Sequence, residues 1–278
     1  MMSFNRIFTI RKIFTFRRPL MLLCGLLIIS HSQVLAADAS VDEARAVLVQ
    51  LAAFSGKQAL HTAAARKLLA GEMLNLKISS FGRLTDAPDA VFLLSANNAV
   101  GRFQLTGERD QITDVYFYLE KAGGWKVNAV RLMALTGMIE QAYLELKAKP
   151  NLTEAEKNLS GNFKLTLAPD RELKMWFAAN RETLDALRRA SLPAKKGDTI
   201  YVTRDDAKFP EASALLRKLN LSAVGVEANG NVEIVIGGVT DNTVGFIHSP
   251  AKTPPPVSPS SYIWVEEVAP HWYLFRTT

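Results

Sequence analysis

Tyr116 and Tyr118 stand two residues apart among Val115, Phe117 and Leu119, so an extended strand would place both phenols on one face. Arg102 and Gln104 repeat that spacing within Gly101-Arg102-Phe103-Gln104-Leu105-Thr106 and can line a neighbouring strand. A phenol pair beside a guanidinium and an amide suits a polar small ligand. The same spacing equally suits tyrosines that pack on a sheet. Acid–base catalysis would need a carboxylate or imidazole held against these donors, and none is placed so as to be named a general base. The four residues are therefore candidate pocket-lining groups, and no catalytic residue is assigned.

The other reactive side chains are isolated. His248 and His271 fall near strand ends, but two histidines without a third ligand do not make a zinc site. His61, alone in an alanine-rich helical run, reads as a surface residue. Ser249 and Ser258 lack the strand–turn–helix setting of a nucleophile elbow. No Walker loop, dinucleotide fingerprint, HExxH helix or EF-hand occurs, so neither metal nor cofactor is expected.

The first 36 residues set the address. Arg6, Arg11, Lys12, Arg17 and Arg18 form an acid-free basic leader, an apolar run follows from Leu20 to Ile29, and small residues close the stretch at Ala36 and Ala37. That order predicts a secretory signal cleaved between Ala36 and Ala37, with export to the periplasm or medium. The apolar run is too short for a retained span, and Leu23 before Cys24 does not fit a lipoprotein site. The chain carries 33 basic and 27 acidic residues; without the leader's five, 28 basic residues face 27 acidic ones. A nucleic-acid surface is therefore not expected. Cys24, the single cysteine, leaves with the leader, which excludes disulfides and a thiol nucleophile from the mature chain.

The remaining 242 residues suffice for two domains, with a seam at Lys147-Ala148-Lys149-Pro150-Asn151. Ser40-Val41-Asp42-Glu43 reads as a capping box opening one helix, and Lys57 to Leu74 as a second. Strands follow at Val91–Leu94, Gly101–Thr106, Asp114–Glu120 and Trp125–Val130, the last two joined through Gly123-Gly124, and a helix closes the unit over Thr136–Leu146. In the later half, Thr153 opens a helix and Phe163–Leu167 alternates like a strand. Leu173, Trp176, Phe177, Leu184 and Leu187 stripe a long helix over Asp170–Ala190. A strand at Ile200–Thr203, a helix over Pro210–Leu219 and strands at 223–227, 232–236, 243–248 and 262–276 complete the pattern, with Asn229-Gly230 and Gly237-Gly238 as turns. Thr253–Pro259 reads as a stiff surface connection.

Two helices followed by long strands and the hairpin through Gly124-Trp125-Lys126-Val127 resemble the NTF2-like, or cystatin-like α+β, superfamily over about residues 40–135. The resemblance implies helices packed on a curved antiparallel sheet that wraps a conical pocket, with Tyr116 and Tyr118 on its wall. That superfamily holds isomerases, dehydratases, ligand binders and protein-interaction modules, so it implies no single activity. The C-terminal half resembles uncharacterised bacterial exported domains through its Trp-Phe helix, Val244–Ile247 and the closing His271–Arg276. The expected organisation is thus a signal at 1–36, an NTF2-like α+β domain at 37–148 and a second α+β domain at 151–278. The expected function is a non-catalytic exported interaction protein with a protein partner. A small-ligand binder using the cone is the alternative, and a hydrolase or isomerase in that cone the third reading.

Overall fold

The computed structural model describes residues 38–55, 60, 62–76, 82–107, 112–202 and 207–278. The leader with Cys24, the Ala36–Ala37 cut and His61 lie outside the described residues. The fold is α+β, built on two antiparallel sheets.

The first sheet is a curled half-barrel. Its strands are β1 (Arg83–Leu84), β2 (Ala90–Ser95), β3 (Asn98–Thr106), β4 (Ile112–Lys121) and β5 (Trp125–Arg131), ordered β1-β3-β4-β5 with β2 also on β3. Period-two alternation sorts β4 into two faces. Phe103, Val115, Phe117 and Leu119 face the first helix, α1 (38–52), which contributes Ala44, Leu48 and Leu51. Gly101 exists for that contact, because a Cβ there would run into the Leu48 side chain. The opposite face carries Val100, Tyr116, Tyr118 and Ala129.

The expected helix over Lys57–Leu74 is broken. Its described residues include one α-helical turn, α2 (Ala63–Arg66), capped by Thr62, and a 3₁₀ turn at Gly71–Leu74. Between them the chain straightens to pair with the open edge of β5: Ala70 N donates to Val127 O and Val127 N to Leu68 O, both at 2.8 Å. Gly71, at φ 48°, then turns the chain over Asn128. Ser40 opens nothing, since the chain is already helical at residue 38, and Glu43 pairs with Lys121 instead of capping.

Helices α3 (Thr136–Ala148) and α4 (Glu154–Leu167) form a hairpin into the second half. Thr153 and Glu156 make a complete capping box at the start of α4. The expected strand at Phe163–Leu167 is the last turn of this helix, so its alternation was misleading. Asn162, one turn earlier, donates to Asn220 O, Ser222 Oγ and Ile236 O, tying the helix to the second sheet. Gly237 belongs to the same contact: a Cβ there would meet Thr166 Oγ1 and Asn162 Oδ1. Gly237-Gly238 is accordingly not a turn but lies inside a strand, and the turn is Thr240-Asp241.

Helix α5 (Asp170–Ser191) and α6 (Pro210–Leu219) cover the second sheet. That sheet runs β10-β11-β9-β8-β7-β6, formed by β6 (Thr199–Tyr201), β7 (Ala223–Val226), β8 (Val232–Val239), β9 (Asn242–His248), β10 (Tyr262–Ala269) and β11 (Trp272–Thr277). One inward row reads Ile200, Val224, Ile234, Phe246, Leu274 and then Glu266. Phe177 packs on Phe246 and Trp272 with ring centroids 5.0 and 5.5 Å away. The apolar row therefore ends in a carboxylate at the sheet edge, where the two halves of the chain meet.

Candidate functional site

Arg102 pairs with Tyr116 across β3 and β4, and Gln104 pairs with Asp114, so the sheet register brings the sequence candidates onto one face as expected. That face is covered. Tyr116 has no exposed surface and Arg102 is 4% exposed. The cover is the start of α5 and the edge strand β10, whose Trp264 stacks on Tyr116 at 5.0 Å and lies under the Arg102 guanidinium at the same distance.

Asp170, the first residue of α5, is the centre of the contact. One carboxylate oxygen accepts from Tyr116 Oη (2.8 Å) and Arg102 Nη1 (3.0 Å); the other accepts from Arg276 Nε (2.7 Å). Arg276 also donates to Ala168 O, capping the end of α4. Asp114 closes the ring by accepting from the Asp170 backbone N at 2.6 Å. Toward the rim, Glu266 takes Arg102 and Trp264 Nε1 on one oxygen and Lys174 on the other.

The charges answer one another. Burial alone would raise the Asp170 carboxyl, but Arg276 and Arg102 outweigh it and hold the group below the usual carboxylate range. Both guanidiniums stay charged because the facing acids overcome their own desolvation. Burial and the Asp170 charge push the Tyr116 phenol well up, so it is a fixed donor. Asp114 behaves oppositely: burial and Asp170 raise it, Arg276 is 3.9 Å off, and its Oδ1 has no partner.

Tyr118 sits apart from the ring and donates to Ile263 O at 2.8 Å. It lines a crevice of about 250 Å³ with Asn98, Asn128, Val257 and Pro259, the space left between the first sheet and the proline-rich connection. Gln104 is half-buried at the margin of the ring. The proline-rich connection packs on the protein itself, since Arg131 Nε donates to Pro259 O and Val257 bridges to Tyr262.

Sequence reasoning missed Asp114, Asp170, Trp264, Glu266 and Arg276. Asp114 had a signal, because it continues the two-residue spacing of Tyr116 and Tyr118. Asp170 resembles any acidic helix start, and Arg276 hides in an apolar strand; only tertiary structure joins them. His248 and His271 do meet, with ring centroids 6.1 Å apart, but no group of three or more metal-ligating side chains occurs among the described residues.

An open site lies on the far face of the second sheet. A trough of about 430 Å³ runs over β6–β9, with Ala223, Gly225 and Val235 in its floor and Tyr201 at its edge. Asp198, Glu227 and Glu233 line it, and no basic side chain does so among the described residues. Glu233 accepts from Tyr262 Oη at 3.1 Å; burial raises its carboxyl, with Glu227 adding to the effect.

No helix among the described residues is long and apolar enough to cross a membrane. The chain matches no family model, no curated protein and no solved structure.

Proposed function

We propose that this chain is a non-catalytic exported binding protein, in which an NTF2-like unit is docked by its chemically richest face onto a second α+β unit. The second unit offers the trough over β6–β9 to a partner segment carrying positive charge. The complete burial of Tyr116 carries the reading, because donors that could line a ligand cone are spent on contacts between the two halves. The trough supplies a small-residue floor, an exposed tyrosine and three carboxyl groups, which suits a basic partner segment.

The test uses residues 37–278 and a fluorescent lysine-rich peptide, read by anisotropy at low and high salt. Binding weakens with salt, and Glu233→Gln or Tyr201→Ala weakens it about tenfold, with circular dichroism showing both variants folded at the assay temperature. A peptide that fails to bind, or binds the trough variants as well as the parent, refutes the reading.

A further inference from the structure

We propose that the contact between the two halves is a proton-controlled clamp, tight while Asp114 is protonated and loosened when it ionises. Asp114 is 5% exposed, and its single short hydrogen bond comes from the backbone N of Asp170. Its other oxygen has no partner, so ionisation places a negative charge against an unanswered acceptor. The groups that face it among the described residues are Asp170 on α5, Arg276 on β11, and Arg102, Gln104 and Tyr116 on the first sheet. Glu266 and Lys174 lie one step further out and neutralise each other.

Arg276 makes no hydrogen bond to Asp114, and would have to shift from its present seat to do so. Its Nε is held by Asp170 at 2.7 Å and its Nη2 by Ala168 O at 2.7 Å, leaving Asp114 at 3.9 Å. Arg102 spends its Nη1 on Asp170 and Glu266, and it makes no hydrogen bond to Asp114. A second negative charge would therefore compete with Asp170 for guanidiniums that bind both halves together. Asp170, by contrast, is satisfied as an anion and stays one. Asp114 consequently decides how firmly α5 and β10 seat on Tyr116.

The experiment compares Glu233→Gln, which removes the other carboxyl raised by burial, with Glu233→Gln/Asp114→Asn. The thermal midpoint of the single variant falls between about pH 5 and about pH 9, while the double variant stays flatter and lies above it at the alkaline end by roughly 2–4 °C. At that same alkaline pH the amides of Tyr262–Ala269 exchange faster in the single variant. A protonated-carboxyl infrared band, present in the single variant at acid pH and gone at alkaline pH, identifies the proton even if the double variant folds poorly. Equal pH dependence in both proteins, or no such band in the single variant at about pH 5, overturns the proposal.

Discussion

Asp170 accepts three side-chain hydrogen bonds from two different strands of the first sheet and one of the second, with no surface exposed to water. Removing it strands two buried guanidiniums and a phenol, which is costlier than losing an exposed pair. Asp170→Ala is expected to lower stability by about 3–5 kcal/mol, measured by chemical denaturation. The reverse substitution on the other side, Arg102→Met, should cost less, because Arg276 still answers Asp170 and methionine can fill space beside Trp264. The same chemistry could be half read in the sequence. Spacing puts Tyr116 and Tyr118 on one face and lets Arg102 line a neighbouring strand, and the β3–β4 register joins them. Their partners could not be placed that way, since Asp170 and Arg276 lie 68 and 174 residues from Arg102 and no local pattern marks a residue as a distant counter-ion.

At the scale of elements, pattern succeeded where one neighbour decides the structure. The four main strands of the first sheet, α5 and α6 follow their period because each buries one face. It failed where two elements touch closely. Phe163–Leu167 alternates, yet the helix begun by Thr153 continues through it because Asn162 and Thr166 must reach β8. Gly237 looked like a turn residue for the same reason: its missing side chain serves the helix, not the bend. Gly237→Ala should therefore destabilise by about 1–3 kcal/mol through overpacking, and Gly101→Ala likewise through Leu48. Thermal melts of both variants test this. Thr153→Ala should cost about 1 kcal/mol, the worth of its cap.

Across the whole molecule, acid–base balance gives stability a shape in pH. Burial raises the carboxyls of Asp114 and Glu233 in the folded state, so their contribution shrinks as pH rises above the ordinary carboxylate range. Asp170 is held low, so its contribution is present above that range and disappears as pH falls through its folded value. Melting midpoints should thus peak on the mildly acidic side and decline in both directions. The sealed face has a second consequence at this scale. Residues 37–148 made alone would expose Val100, Tyr116 and Tyr118, and should bind a hydrophobic dye and self-associate on a sizing column, whereas 37–278 should do neither.

The ring around Asp170 draws on residues 102, 114, 116, 170 and 276, so its members meet only after most of the chain has found its place. Such contacts have high contact order, and loop closure must precede any reward from them. The first sheet must therefore wait, with Arg102 and Tyr116 still wet, until the closing strand arrives. A chain organised this way remains unlocked through most of its own assembly.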